Sequence, residues 1–322
     1  MIVTGRSAPI HLLLAALLLI LISPVLAQQP TRGRPRTPAP QPETAAGALV
    51  FQTDLGESDG SVAAMKGVAL GVSGALRIHD LTHLIPPFNI WEAAVRLRQA
   101  VPYWPAGTVF VSVVDPGVGT ARRVVVARTR GGRYVVTPDN GTLTFLADAL
   151  GFEEVRELDE RAHRLPGSER SHTFDGRDIF AYAGARLASG AIRFEDIGAP
   201  ATTAITRLTY DAPRYAGETV IGGLIALDGP FGNLWSNVPV GLLDRLGLRL
   251  GDTARVRIMN GSRLVFAGAL PLARTFGSVP EGQPLLYLNS VLDVGIAINR
   301  GNFAQRHRVQ VGPGWRVEIA KR

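Results

Sequence analysis

The chain has 322 residues, 46% apolar and 19% charged, long enough for two domains with separate cores and unlike a disordered, collagen-like or polytopic membrane protein. It contains no cysteine, which excludes a disulfide scaffold, thiolate metal sites, a catalytic thiol and a lipid-anchor cysteine. The formal net charge is +7, but Arg6, Arg32, Arg34 and Arg36 against Glu43 supply three of it near the N-terminus; the +4 left is too small a surplus to argue for nucleic-acid binding.

The first stretch, "MIVTGRSAPIHLLLAALLLILISPVLA", has a short start with one Arg, an apolar run, Pro24 and a small-residue pattern ending at Ala27. It reads as a signal peptide (residues 1–27) cleaved after Ala27, which makes the protein periplasmic or secreted, with no stable membrane insertion after cleavage. The alternative is a retained anchor helix, for which the run is short. Residues 28–47, rich in Pro, Gln, Thr and Arg, read as a flexible tether.

From Ala48 the pattern alternates. "ALVFQTD" is a strand, "SVAAMKGVALGV" a helix, "LRIHDLTH" a strand, "NIWEAAVRLRQAV" a helix and "TVFVSVVD" a strand. "RRVVVARTRGGRYVVTPDNG" is a hairpin around its Gly-Gly pair, "TLTFLADALG" a helix stopped by Gly151, and "GRDIFAYAGARLASG" a single helix ending at Gly190. This predicts an α/β domain with a largely parallel sheet over 48–205. Beyond it, short β-rich runs separated by Gly, Pro and Asn predict a smaller all-β, barrel-like domain over 206–322, in which only "VGLLDRLGL" looks helical.

Asp54 and Asp115 end predicted parallel strands, His83 nearly so, and ligands of open α/β sheets bind at such strand ends. His83 taken alone is also an ordinary core histidine. In "VVDPGVGTARR", residues 113–123, a strand ends in Asp115, turns through Pro116, Gly117 and Gly119, and delivers Arg122 and Arg123. Alone, that stretch is a turn. It completes no GxGxxG, and the chain has no phosphate loop, HExxH or GxSxG.

Five stretches taken together carry a family signature: "TDLGESDGSVAAMKG" from Thr53, "IHDLTHLIPPFNIWEAA" from Ile78, "VVDPGVGTARR", "TFDGRDIFA" from Thr173 and "LDGPFGNLWSNVP" from Leu227. From about residue 48 onward the chain resembles the S-adenosylmethionine hydroxide adenosyltransferases, relatives of the fluorinating and chlorinating adenosyl enzymes. The resemblance implies a homotrimer with S-adenosylmethionine, as substrate, between one subunit's N-terminal domain and its neighbour's C-terminal domain, and neither metal nor further cofactor. It also implies that Asp54 chelates the ribose hydroxyls, a natural task for one carboxylate facing a diol. Asp59, Ser61, Asp228 and Ser290 would hold the methionine end. Phe88, Phe174 and Trp235 would pack around the nucleoside, although each is equally a core aromatic by type, and Asn233 would bond the adenine edge.

The implied reaction is attack of water or hydroxide at the ribose 5′ carbon, through an Asp–Arg–His set. Asp115 and Arg122 match the first two members. Where the family reads "TFHGRD" this chain reads "SHTFDGRD", with Asp175 in place of the histidine. Several readings of that exchange stand open. Two carboxylates bridged by Arg122 could share a proton or raise one pKa; His172 could swing in; Asp175 could be a helix N-cap; or the site could bind without turnover. The sequence therefore predicts a hydrolase yielding adenosine and methionine, with an exported binding protein for an adenosyl ligand as the alternative. Halide transfer is disfavoured, because Asp115 and Asp175 would repel an anionic nucleophile.

Overall fold

A computed structural model describes residues 47–322 of the chain. The signal peptide, its cleavage point and all but the last tether residue lie outside the described residues. Among the described residues, no helix is long and apolar enough to cross a membrane.

The N-terminal part is a six-stranded sheet. Its strands are β1 (Ala48–Thr53), β2 (Arg77–Thr82), β3 (Val109–Val113), β4 (Val124–Thr129), β5 (Tyr134–Pro138) and β6 (Phe152–Glu157), in the order β2-β1-β3-β5-β4-β6. The pairs β1–β2, β1–β3 and β3–β5 are parallel, and β4 runs antiparallel to both its neighbours. Strands β1 and β3 are buried at every position and mostly apolar, because both faces of the sheet are covered. Leu49, Phe51, Val109 and Val111 point into one buried cluster, while Val50, Phe110, Val125 and Val135 point into another. Alternate side chains of a strand leave opposite faces, so one run of sequence fills two cores.

Helix α1 (Ser61–Val72) buries Met65 and Ala69, four residues apart and therefore on one face. Helix α2 (Ile90–Ala100) starts where the Asn89 side chain accepts from the Glu92 N–H at 3.0 Å, and it buries Ala93, Ala94, Val95 and Leu97. Helix α3 (Thr144–Leu150) stops at Gly151, whose φ of 65° suits glycine. The single helix predicted from residue 176 is instead a six-residue π-helical segment, Gly176–Ala181, running into α4 (Tyr182–Ala188). Widened turns of this kind concentrate at functional sites, and here one opens directly after Asp175.

The C-terminal part comprises β7 (Arg214–Ala216), β8 (Thr219–Asp228), β9 (Asn233–Pro239), β10 (Thr253–Asn260), β11 (Arg263–Pro271), β12 (Pro284–Leu288), β13 (Asp293–Ile298) and β14 (Trp315–Lys321). They form one antiparallel sheet in the order β11-β10-β14-β8-β9-β13-β12, with β7 beside β8. A bridge from Leu272 to Leu286 brings the two outer strands together, so the sheet nearly closes as a barrel around its own apolar core. Helix α5 (Val240–Leu246) is the predicted "VGLLDRLGL" helix, ending at left-handed Gly247. A second helix, α6 (Phe303–His307), was not expected. Five residues are too few to show a period, and its one local sign is Asn302, whose side chain accepts from the Gln305 N–H at 2.7 Å.

Helix α2 joins the two parts. Trp91 Nε1 donates to the Ile225 carbonyl of β8, Arg98 pairs with buried Asp293 of β13, and the Tyr103 hydroxyl just past the helix donates to the Ser290 carbonyl.

Candidate active site

The corner after β3 is held rigidly. Asn140 Nδ2 donates to the Val114 carbonyl, the Gly117 N–H donates to Asp115 Oδ1 at 3.1 Å, and Thr120 Oγ1 donates to the Gly117 carbonyl at 2.6 Å. Gly119 has φ +75°, and a Cβ there would lie 3.0 Å from the His172 carbonyl oxygen. Glycine is needed at that point both for the conformation and for the close approach. The corner brings Arg122 back over Asp115, whose side chain is 5% exposed.

Arg122 is the hub of the site. Its Nε donates to Asp115 Oδ2 at 2.9 Å, its Nη2 to Asp175 Oδ2 at 2.7 Å and its Nη1 to Glu160 Oε1 at 2.9 Å. Its guanidinium also lies over the Phe180 ring, 5.4 Å from the centroid. Burial works against the charge of Arg122, but Asp115, Glu160 and Asp175 outweigh it and raise its pKa further. Asp175, with a side chain 3% exposed, gives its other oxygen to Arg164 Nη2 at 2.9 Å. Glu160 is held above the ordinary glutamate range by burial, with the charges of Asp175 and Asp115 adding to the shift and Arg122 and Arg164 opposing it.

The predicted trio of Asp115, Arg122 and Asp175 is therefore brought together. Two residues that sequence reading missed, Glu160 and Arg164, complete the cluster; both lie in "DERAHR", an unremarkable charged stretch of residues 159–164. Asp175 does stand at the N-cap position, but its side chain caps nothing, so the helix-cap reading is corrected: the carboxylate faces two guanidinium groups instead. His172 is exposed on the preceding loop. His83 is structural, not part of a converging set. Its ring is buried, with Nδ1 at 2.8 Å from Thr53 Oγ1 and Nε2 at 3.0 Å from Asp80 Oδ1.

The substrate-binding candidates fall into two groups. Asp54 directly follows β1, and the register Thr53↔Val113 sets it beside the chain leading to Asp115. Adjacent strands lie about 4.8 Å apart, so these two carboxylates share one strand-end rim. Asp54 Oδ2 accepts from the Phe88 N–H at 2.8 Å; Phe88 is 71% exposed, so it is not a core residue, and it holds a φ of 67°. Asp59 accepts from the Ser61 N–H at the start of α1, and that backbone bond foremost keeps its pKa below the usual carboxylate value. Phe174 is half-buried against the α/β core, with the Arg177 guanidinium 5.1 Å from its ring.

The second group belongs to the barrel. Asn233 Nδ2 donates to Asp228 Oδ2 at 3.2 Å across the β8–β9 turn. Asp228, Trp235 and exposed Ser290 line a hollow of about 320 Å³ with Arg274, Phe276, Tyr287 and Asn289, all from the C-terminal part. Trp235 is otherwise packed in a buried cluster with Phe145, Ile225 and Ala226. Asn289 Nδ2 is buried without a hydrogen-bond partner, as donors reserved for a ligand often are, whereas Trp235 Nε1 lies against the Tyr287 hydroxyl. Burial, with the nearby charge of Asp228 adding to it, outweighs the opposing contact of Trp235 and pushes the Tyr287 hydroxyl up to about 12, so it remains a neutral phenol.

A domain with a mostly parallel sheet and a carboxylate–arginine cluster beyond its strand ends, joined to a nearly closed antiparallel barrel, defines a two-domain enzyme with a polar small-molecule site. Residues 49–198 match the model of the SAM hydroxide adenosyltransferase N-terminal domain and residues 222–316 that of its C-terminal domain. The chain belongs to the SAM hydroxide adenosyltransferase family. It is 38% identical over 274 residues to a protein of Salinispora tropica named (R)-S-adenosyl-L-methionine hydrolase, covering 84% of this chain and 97% of that one. A protein of the same name from Thermus thermophilus is 38% identical over 263 residues, covering 79% and 92%. A protein named fluorinase from Actinoplanes is 30% identical over 288 residues, covering 82% and 95%. Among solved structures, an uncharacterized conserved protein from Thermotoga maritima superimposes with a TM-score of 0.77 at 34% identity, covering 85% of this chain and all of that one.

Proposed function

We propose that the protein hydrolyses S-adenosylmethionine to adenosine and methionine. Water or hydroxide attacks the ribose 5′ carbon, and methionine leaves as a neutral thioether. Breaking the C–S bond cancels the sulfonium charge, so the leaving group needs no acid; the demand falls on activating and aligning the oxygen nucleophile. The observation that carries the reading is the Arg122 cluster. Its three carboxylates against two guanidinium groups leave one net negative charge beside the strand-end carboxylate Asp54. A unit charge 4 Å from another at an effective dielectric of 20 contributes about 4 kcal/mol, which repels a halide, favours a sulfonium and leaves neutral water unaffected.

In this reading Asp54 binds the ribose diol, and Asp59, Ser61, Asp228 and Ser290 hold the methionine end. Phe88, Phe174 and Trp235 enclose the nucleoside, and Asn233 bonds the adenine edge. The assembly is a homotrimer whose sites lie between subunits, in keeping with the division of these residues between strand-end rim and barrel hollow. The N-terminal sequence supports export with cleavage after Ala27, which N-terminal sequencing of the mature protein tests.

A second reading has an observation of its own. Both oxygens of Asp175 already accept from Arg122 and Arg164, so the residue replacing the family histidine serves as a clamped ion-pair partner, as a pure binding protein would tolerate. Incubating the purified protein with S-adenosylmethionine, with and without fluoride or chloride, and separating the products decides. Adenosine and methionine in equal amounts, unaffected by halide, establish the hydrolase. A halogenated nucleoside means halide transfer, and bound but unconverted ligand means a binding protein.

A further inference from the structure

Six carboxylate oxygens surround Arg122, and five of them already accept a hydrogen bond. Asp115 accepts from the Gly117 N–H and from Arg122 Nε, Asp175 accepts from Arg164 and Arg122, and Glu160 Oε1 accepts from Arg122 Nη1. Glu160 Oε2 is the one oxygen with no donor among the described residues. The Glu160 side chain is also 35% exposed, against 5% for Asp115 and 3% for Asp175, so water can reach it and a proton can leave it. Its position is built in. Asp159 Oδ1 accepts from the N–H groups of Arg161 and Ala162, closing the turn from which Glu160 reaches Arg122.

We infer that Glu160 is the proton acceptor of this site, a role that rests on the hydrolase reading. A water O–H passes its proton to Glu160 Oε2 as its oxygen forms the bond to C5′. The C5′–S bond breaks, its electron pair goes to sulfur, and the cationic substrate yields adenosine and neutral thioether. Glu160, now a carboxylic acid, releases the proton to solvent and returns to its starting state. The exchange of histidine for Asp175 is thereby accounted for: position 175 becomes an anionic anchor clamped by Arg122 and Arg164, and proton acceptance moves to position 160. The charged groups around Glu160 are Asp115 and Arg122 from the β3–β4 corner, Arg164 from its own loop and Asp175 from the start of the π-helical segment. Burial raises the Glu160 pKa, Asp175 and Asp115 add to that rise while Arg122 and Arg164 oppose it, and a base is more effective as its pKa approaches the working pH.

The test is Glu160→Gln in the full-length protein, following adenosine release across pH. The amide oxygen still accepts from Arg122 Nη1, so a merely positioning role is spared. The expected result is a fall in kcat of about a hundredfold or more with KM within about threefold. The parent's kcat should decline toward acid as Glu160 protonates, with a midpoint above the ordinary glutamate value of 4.5, and that limb should vanish in the variant. Glu160→Asp, which keeps a carboxylate, should recover part of the rate and the limb, and it decides the matter if the glutamine variant does not fold. A glutamine variant with the parent's kcat and acid limb overturns the inference and leaves the hydrolase standing. A parent that makes no adenosine at any pH overturns the hydrolase reading and the inference with it.

Discussion

Asp175 shows how a single exchange recruits its neighbours. A carboxylate 3% exposed is costly unless its charge is matched, and here both Arg122 and Arg164 match it. Asp175→Asn should therefore destabilise the protein by about 3 kcal/mol, because Arg164 loses its ion-pair partner and Arg122 one of its three. Arg164→Met should cost less, since Arg122 still faces the carboxylate. In urea unfolding, the double variant should cost about 1–3 kcal/mol less than the sum of the two single changes. Additive changes would mean that Arg164 does not stabilise Asp175. Restoring the family residue with Asp175→His alone should lower turnover, because an imidazole cannot accept from two guanidinium groups at once.

Helices α1 and α4 lie on the same face of the sheet and make opposite demands on glycine. At Gly184 a Cβ would fall 2.3 Å from Val111 Cγ2, so α4 sits directly on β3, the strand that carries Asp115. At Gly67 in α1 nothing lies within 4 Å. Gly67→Ala should thus stabilise by about 0.5–1 kcal/mol through helix propensity. At Gly184 the overlap outweighs that same gain, giving a net loss of about 1–2 kcal/mol and a fall in kcat as the strand end shifts. Thermal melts and kcat of the two variants check both signs. Elements of this kind were largely legible in the sequence. β1, β3, α1 and α2 follow from apolar runs and helical spacing, with Asn89 marking a start and Gly151 a stop. The π-helical segment and α6 were not, since neither a widened turn nor five residues leave a periodic trace. The site divides similarly. Asp115 and Arg122 share one rigid corner and can be read locally. Glu160 and Arg164 meet Arg122 and Asp175 only through tertiary folding, and no local spacing announces them.

Taken as a whole, one chain places the Asp54–Phe88 pair and Ser290 at opposite ends of α2. Asn89 and Phe88, the latter bonded to Asp54, stand at its start, while Tyr103, bonded to the Ser290 carbonyl, stands beyond its far end. Between Phe88 and Tyr103 runs about 20 Å of helix, far more than a methionine arm can bridge. The exposure of Phe88, Phe231 at 63% and Leu292 at 61% fits surfaces awaiting another subunit. If each site pairs one subunit's strand-end rim with its neighbour's barrel hollow, defects in the two halves should complement. Arg122→Met disables the rim half and Asp228→Ala the hollow half, so each variant alone should be nearly inactive. In trimers assembled from equal amounts of both chains, a sound site needs an intact rim from one chain and an intact hollow from its neighbour. Random assembly provides that at about a quarter of the interfaces. Co-expression should accordingly restore about 25% of the parental adenosine release, with light scattering reporting a three-chain mass. Were both halves of a site supplied by the same chain, every chain would carry one lesion and mixing would restore nothing.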